Sequence, residues 1–186
     1  ILLLICVFPF ALAGQSGSGT SGDPYYGTIS STVTWNSEDY TDGKVYIGKS
    51  RNEKLSVTSN GSLIINDNVT VIFAELKSLL EINGSGILDI NGTTSNPVTL
   101  TKSPTKANWK HIYFNSPTSS SSIDHCIIEH GAGDGDYGGG MYIYYASTNV
   151  EITNSIIHSC DALYGGGIEI EESSPTIENC IFRDNS

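Results

Sequence analysis

An internal repeat constrains the fold of this chain more than any other feature of its sequence. The segment 123–128 reads Ile-Asp-His-Cys-Ile-Ile, and related segments begin 29 and then a further 25 residues later, at 152–157 and 177–182. Between them, a Tyr-Gly-Gly-Gly run at 137–140 recurs at 164–167. Two different segments that alternate with one period predict a solenoid, in which each coil lays its strands on those of the coil before.

Short apolar runs separated by turn formers predict strands rather than helices. From Leu55 onward such runs recur roughly every eight to fifteen residues, and pairs such as Asn60-Gly61 and Asn83-Gly84 bound them. No window of useful length has the 3.6-residue period of an amphipathic helix. A sandwich or a barrel would also be all-β, but neither has a reason to repeat its sequence. We therefore predict an all-β parallel β-helix.

In such a solenoid, like residues form columns, because stacked parallel strands lie about 4.8 Å apart. We predict an amide ladder of Asn154 over Asn179 at a bend. The glycine triplets predict turns with positive φ. The predicted inward columns are Ile123/Ile152/Ile177, Cys126/Ser155/Cys180 and Ile128/Ile157/Phe182, and one outward column is Glu129/His158/Arg183.

The repeat resembles that of the secreted bacterial right-handed β-helix proteins of the pectate-lyase-like superfamily. The segments that carry the resemblance are 27–30, 33–35, 79–92, 96–101, 109–114 and the Ile-x-Asn-Cys-Ile-Phe repeat. The resemblance implies a right-handed coil. One departure is that the family has glycines after the tryptophan, whereas Lys110 and His111 follow Trp109 here. This architecture carries lyases, hydrolases, epimerases, adhesins and passive spacers, so the resemblance implies the fold rather than an activity.

The chain divides into three predicted regions. Residues 1–13, an apolar run that ends in Ala-Leu-Ala, are typical of a truncated secretory signal peptide and are too short to span a bilayer. Residues 14–26 are rich in glycine, serine and threonine and predict a flexible linker. Residues 27–186 form the β-helix domain, which we expect to be incomplete because the sequence stops inside a repeat. We predict a secreted, extracellular or cell-surface protein without a membrane span.

Charge and cysteine content exclude several classes. Nine Lys and Arg against twenty Asp and Glu leave a net charge of -11, which argues against a nucleic-acid partner. Cys126, Cys160 and Cys180 remain after the leader, and an odd number does not suggest a disulfide framework. Cys126 and Cys180 should lie two coils apart, about 9–10 Å, beyond the reach of a disulfide. We predict three free thiols.

Two tyrosines are the candidate ligand-binding residues. Tyr142 and Tyr144 alternate with apolar Met141 and Ile143, so both rings should point outward, about 6.5–7 Å apart. Tyrosines at this spacing could stack on the sugars of a polysaccharide or cell-surface glycan.

Two pairs of carboxylates are weaker candidates. Glu169 and Glu171, one coil from the tyrosines, have a spacing of ~6.5–7 Å, within the separation used by inverting glycosidases. Alternating polar residues on any solvated strand explain the pair equally well. Asp134 and Asp136 lie in a glycine-rich loop that loosely resembles a calcium site, although calcium takes about six to eight oxygen ligands. Calcium is the one cofactor considered, and a plain loop insertion is the alternative.

The sequence favours a non-catalytic structural, adhesive or glycan-binding role. The alternative is an extracellular polysaccharide lyase or glycoside hydrolase whose catalytic coils lie partly beyond Ser186. Asp124-His125 resembles part of a short pectate-lyase motif, but the related segments have Thr-Asn and Glu-Asn at the same place. The two arginines, Arg51 and Arg183, lie outside any recognisable lyase motif.

Overall fold

A computed structural model of the protein describes residues 15–106, 108–133 and 137–186. The predicted signal peptide and the predicted calcium residues Asp134 and Asp136 lie outside the described residues. Two single turns of 3-10 helix, Ser37–Asp39 and Thr41–Gly43, precede the fourth strand. The strands, in chain order, are β1 (Gln15–Ser16), β2 (Tyr26–Ile29), β3 (Thr32–Trp35), β4 (Lys44–Ile47), β5 (Lys54–Val57), β6 (Ser62–Asn66), β7 (Thr70–Phe73), β8 (Leu79–Asn83), β9 (Ile87–Asn91), β10 (Val98–Lys102), β11 (Ile112–Asn115), β12 (Ser121–Asp124), β13 (Cys126–Glu129), β14 (Met141–Ser147), β15 (Val150–Thr153), β16 (Ile156–His158), β17 (Ile168–Ser173), β18 (Thr176–Glu178) and β19 (Ile181–Arg183).

These strands form three long sheets. The first sheet has the order β1-β2-β5-β8-β11-β14-β17, the second β3-β6-β9-β12-β15-β18 and the third β4-β7-β10-β13-β16-β19. Three successive strands, one in each sheet, make one coil, and strands of neighbouring coils pair in parallel. The predicted right-handed parallel β-helix is confirmed.

The interior of the coil is filled by the predicted apolar columns. Ile123 lies in register with Ile152, and Ile152 with Ile177. The N–H of Cys126 donates to Ser155 Oγ at 3.0 Å, which joins two members of the second column. The side chains of Ile128 and Ile157 are fully buried in the third. A strand with one face inward therefore buries every second residue, as the alternating burial along β6 and β13 shows.

The corners between strands use left-handed backbone where the glycine pattern predicts it. Gly138 and Gly165, one from each triplet, have φ of 58° and 59°. The predicted ladder of Asn154 over Asn179 is not formed by amide-to-amide bonds; Asn154 Nδ2 instead donates to Asp124 Oδ1 at 2.7 Å. An ionised carboxylate is the stronger acceptor.

An amide ladder does form, one column away and nearer the N-terminus. Asn66 Nδ2 donates to Asn36 Oδ1 at 2.7 Å, and Asn91 Nδ2 donates to Asn66 Oδ1 at 3.4 Å. The next two coils replace asparagine in this column with Asp124 and Thr153. The amide ladder therefore ends at Asn91, and the Asp124 carboxylate that follows accepts hydrogen bonds from several donors.

The described part of the predicted linker, residues 15–26, packs on the first coil. Gln15–Ser16 pairs antiparallel with Gly27 and Tyr26, and the N–H of Tyr46 donates to Gly19 O at 2.9 Å. The Tyr25 ring stacks on the buried Trp35 ring, with centroids 5.7 Å apart. Gly17 and Gly19 have φ of 91° and 74°, so here glycine supplies tight turns that close the end of the coil.

The predicted outward column on the third sheet is also in place. Glu129 pairs with His158, and His158 with Arg183, in the strand register. His158 Nε2 lies 3.1 Å from Glu129 Oε2, while Thr101 Oγ1 donates to Glu129 Oε1 at 2.8 Å. This column therefore stabilises neighbouring coils through side-chain contacts.

Candidate functional site

The outward face of β14 orients both candidate tyrosines as predicted. Met141 and Ile143 are fully buried, whereas Tyr142 and Tyr144 are half-buried on the opposite side of the strand. The two phenol rings lie 5.8 Å apart and are tilted by 43°. They are closer than the strand repeat predicts, because the rings lean towards each other.

Tyr142 lies inside a longer column of stacked rings. Its ring neighbours are Tyr113, with centroids 5.1 Å apart and planes at 6°, and Tyr137, with centroids 5.4 Å apart and planes at 17°. Tyr164 continues the column beyond Tyr137, at 5.3 Å and 21°. The coil repeat of about 4.8 Å matches the separation of offset-stacked aromatic rings, so the contacts of Tyr113 with Tyr142 and of Tyr137 with Tyr164 follow from the solenoid. Tyr137 and Tyr142 lie on the same coil, and their contact depends on the turn that precedes β14.

A side branch extends the aromatic surface along β14. The Tyr145 ring meets Tyr144 edge to face at 4.5 Å, and 53% of Tyr145 is exposed. Tyr145 has φ of 48°, which turns its side chain away from the regular alternation of the strand. We call the combined surface the tyrosine face; its members are Tyr113, Tyr137, Tyr142, Tyr144, Tyr145 and Tyr164, with Glu169 and Glu171.

The two glutamates lie beside the tyrosines on the next strand. Glu169 pairs with Tyr142 and Glu171 with Tyr144 in the register of β14 and β17. The hydroxyl of Tyr142 donates diagonally to Glu171 Oε2 at 2.6 Å. Partial burial and this hydrogen bond raise the pKa of Tyr142, so the phenol stays protonated as a donor.

A buried histidine supports the tyrosine face from below. His111 is 3% exposed, and its Nδ1 donates to Gly138 O at 2.8 Å and to Tyr137 O at 3.1 Å. Burial lowers the pKa of His111 to about 4, so the ring is neutral near neutral pH. His111 therefore anchors the glycine turn that carries Tyr137.

The family of the chain follows from its coils. A family model described as a right-handed beta helix region matches residues 29–186, which is most of the sequence. The chain belongs to the right-handed β-helix family. No curated protein matches it, and no solved structure matches it.

The carboxylates on the first sheet differ in their surroundings. One oxygen of Glu171 already accepts the Tyr142 hydroxyl, and Glu171 is exposed to solvent. On the same sheet, Lys54 Nζ is paired with Glu81 Oε2 at 2.8 Å.

Within the described residues there is no group of three or more His, Cys, Asp or Glu that could hold a metal ion. The helical turns of the described chain offer no segment long and apolar enough to cross a membrane.

Sequence reasoning found half of the tyrosine face. Tyr142, Tyr144, Glu169 and Glu171 come together as the alternation predicts. The four members it missed are Tyr113, Tyr137, Tyr145 and Tyr164, and it also missed His111 beneath the face. The repeat itself contained a signal for two of them, since Tyr137 and Tyr164 occupy the same position in the Tyr-Gly-Gly-Gly run and form an isolated parallel bridge.

Proposed function

We propose that this β-helix is a secreted or cell-surface protein that binds neutral glycans non-catalytically along its tyrosine face. The observation that carries the proposal is the stacked column Tyr113-Tyr142-Tyr137-Tyr164 beside two glutamates. In this proposal the coil as a whole has a structural or adhesive role, and glycan binding is the contribution of the tyrosine face.

The way the rings stack determines how a sugar would contact them. Tyr142 stacks on two neighbouring rings and its hydroxyl donates to Glu171, so less of its surface is free for a sugar. Tyr145 and Tyr164, each 53% exposed, have more of their ring surface free for sugar CH groups. A stacked ring contributes about 1 kcal/mol, so the expected binding is weak and depends on several contacts.

Charge favours a neutral ligand over an acidic one. Glu169 and Glu171 border the rings, and the whole chain has a net charge of -11. Carboxylates accept hydrogen bonds from sugar hydroxyls but repel the carboxylates of a polyuronate. A linear neutral polysaccharide that lies along the coil axis meets rings from three successive coils: Tyr113 on the first, Tyr137 and Tyr142 on the second, and Tyr164 on the third.

The test is affinity electrophoresis in gels that contain a soluble neutral polysaccharide, with a polyuronate as the acidic comparison. The variants are Tyr142→Ala/Tyr144→Ala and Tyr145→Ala/Tyr164→Ala. Tyr46→Ala is the matched control, because Tyr46 points outward on the third sheet, away from the tyrosine face. We expect retardation by the neutral polymer and an affinity loss of about fivefold or more in each double variant.

The control should migrate as the wild-type protein does. Equal retardation of wild-type protein and both double variants, or no retardation by any neutral glycan, contradicts the proposal. Retardation by the polyuronate alone contradicts the charge argument.

A further inference from the structure

The corner between the second and third sheets contains a histidine where the following coils have asparagine. His125 has φ of 48°, and the corresponding residues Asn154 and Asn179 have φ of 50° and 53°. Asparagine and, less often, histidine tolerate this left-handed backbone. The corner therefore keeps its conformation while its side chain changes from an amide to an imidazole.

A longer loop on the preceding coil covers this corner. Residues 92–97 connect β9 to β10, whereas His125 alone connects β12 to β13. The loop is held by its own backbone, since Thr93 N–H donates to Asn96 O at 3.1 Å and Asn96 N–H to Thr93 O at 3.2 Å. It is also fixed to the corner, because Val98 N–H donates to His125 O at 3.1 Å. Thr94 is thus presented to the imidazole by an ordered loop.

Three side chains form a continuous relay at this corner. His125 Nδ1 lies 2.8 Å from Asp124 Oδ2, and His125 Nε2 lies 3.0 Å from Thr94 Oγ1. A carboxylate only accepts, so Nδ1 carries the proton and donates to it. In the neutral ring, Nε2 then accepts from the Thr94 hydroxyl.

The acid of the relay is kept ionised by its neighbours. Asp124 Oδ1 accepts from Thr153 Oγ1 and from Asn154 Nδ2, both at 2.7 Å. Partial burial opposes ionisation, but the hydrogen bonds from Thr153, Asn154 and His125 outweigh it and lower the pKa of Asp124. Asp124 therefore acts as a positioning residue that holds the tautomer and the orientation of His125.

We propose that Thr94 and His125, positioned by Asp124, form a nucleophile–base pair that takes acyl groups from small esters. Nucleophile, base and orienting acid within hydrogen-bond reach of one another are the geometric requirements of this chemistry. Thr94 Oγ1 bonds to the acyl carbon and its proton passes to His125 Nε2. The carbonyl C–O bond to the leaving group then breaks, and the alcohol leaves with that proton. Water attacks the acyl-threonine in the same way and releases the acid.

The loop also offers donors for the developing oxyanion. The backbone N–H groups of Thr94 and Ser95 make no hydrogen bond to the described part of the chain, and both residues are exposed. N–H groups beside the nucleophile are the usual donors to a tetrahedral oxygen. The site is open, so it suits a small acyl group such as acetyl.

A polar groove on the second sheet indicates which kind of alcohol the ester contains, because the alcohol portion would lie in it. It has a volume of about 390 Å³, and its lining includes Asp89, Ser122, Glu151 and Thr176. Ser122 precedes Asp124 by two residues on the same outward face of β12, about 6.5–7 Å away. Hydroxyls and carboxylates suit a hydroxyl-rich alcohol, so we assign acylated sugars as the substrate class.

The first test is acylation by p-nitrophenyl acetate, followed by mass spectrometry of the peptide that contains Thr94. Thr94→Val removes the hydroxyl and leaves the imidazole, and His125→Asn installs the residue that the following coils have at this corner. Because general bases contribute about 10²–10⁴-fold in formed sites, we expect at least a tenfold loss of acetylation in both variants. Thr94→Ser, a less hindered nucleophile, should react faster. Thr34→Val is the matched control, because Thr34 is an exposed threonine on β3, and it should react like the wild-type protein.

The role of Asp124 needs a readout that a purely structural role leaves unchanged. In the described part of the chain, Asp124 is the titratable group in contact with His125. Asp124→Asn replaces the charge with an amide, so the rate should fall and its pH dependence should move to lower pH. Release of acetate from an O-acetylated sugar, measured with the wild-type protein and Thr94→Val, tests the substrate class.

The outcomes are decisive in either direction. An acetyl group on Thr94 that disappears in Thr94→Val and His125→Asn, with unchanged circular dichroism, supports the proposal. Equal hydrolysis by the wild-type protein and Thr94→Val shows simple imidazole catalysis and overturns it. Acetylation confined to lysine or tyrosine also overturns it. Neither result bears on the tyrosine face, which lies on a different sheet.

Discussion

The outward column of the first sheet has two halves with different chemistry on one backbone. Ser56 and Glu81 occupy it on β5 and β8, and Tyr113 and Tyr142 occupy it on β11 and β14. The strands pair in the same parallel register throughout. The change at Tyr113 is therefore a change of side chains alone.

The first half is sealed, whereas the second is open. Glu81 is 6% exposed and accepts from Lys54 Nζ at 2.8 Å and from Ser56 Oγ at 2.7 Å. In the second half, Tyr137 and Tyr164 are 42% and 53% exposed. A β-helix fixes the spacing of its outward residues, and the residue types decide whether they satisfy one another or face a ligand.

The largest expected effect concerns His111, which lies beneath the open half of the column. The pKa of His111 is about 4 in the folded protein against 6.5 for an ordinary histidine, because burial favours the neutral ring. The resulting stability is present above pH 6.5 and is lost as the pH falls towards 4, where the unfolded chain binds the proton first. At about 1.4 kcal/mol per pKa unit the loss is about 3 kcal/mol. Urea unfolding near neutral pH and at about pH 4 measures it.

Other groups also titrate in this range, so the comparison needs a variant. His111→Asn retains an amide donor for Gly138 O but does not titrate. The stability gap between wild-type protein and variant should shrink on acidification by the amount assigned to His111. Parallel losses in the two proteins would show that His111 is not responsible.

The second-largest effect is expected from a substitution that disrupts the ion pair in the sealed half. Lys54→Met removes the cation bonded to Glu81 and leaves a nearly buried carboxylate that, within the described residues, accepts from the Ser56 hydroxyl. Because the Lys54 side chain is 53% exposed, we expect a cost of about 1–2 kcal/mol in the free energy of unfolding. The same substitution in a Glu81→Gln background should cost less. Equal costs in the two backgrounds would mean that the pair contributes no coupling.

A smaller effect is expected within the open half. Tyr142→Phe deletes the hydroxyl that donates to Glu171 and keeps the ring stack. Because Tyr142 is half-buried and its partner Glu171 is exposed, the loss should be about 0.5 kcal/mol. Tyr113→Phe is the control, since its ring stacks on Tyr142 in the same way. Thermal unfolding of both variants checks whether the Tyr142 hydroxyl, rather than the loss of any phenol, has the effect.

The smallest effect concerns the three thiols, whose reactivity compares buried positions with a half-buried one. Cys126, Cys160 and Cys180 are free, and burial raises the pKa of Cys160 to about 11. Cys180 is the half-buried one and should be alkylated first in the native protein. After unfolding without reductant, mass spectrometry should find all three modified, and reductant should leave the melting temperature unchanged. An unmodified pair would indicate a disulfide.

The sequence predicted the interior more completely than the corners. Ile123, Ile152 and Ile177 form one column because burial requires an apolar residue at every inward position, and such a requirement repeats visibly. The amide ladder was assigned to Asn154 and Asn179 but lies at Asn36, Asn66 and Asn91. Corner side chains choose among several nearby acceptors, and the repeat does not reveal which of these is nearest.

The tyrosine face shows the same division. The alternation along β14 was enough to orient Tyr142 and Tyr144, because a strand has only two faces. It did not predict that Tyr137, outside the strand, stacks on Tyr142, since that contact depends on the turn held by His111.

The sequence by itself determined the all-β coil, the inward columns and the outward orientation of the tyrosines and glutamates. These features follow from two repeats in the sequence: the alternation of every second residue along a strand, and the recurrence of the same segments once in each coil. Only the tertiary structure decided that Thr94 meets His125, that Tyr142 donates to Glu171 and that residues 15–26 close the first coil. These contacts join residues from different coils or loops, and their distances are set by the stacking of the whole solenoid rather than by any local pattern.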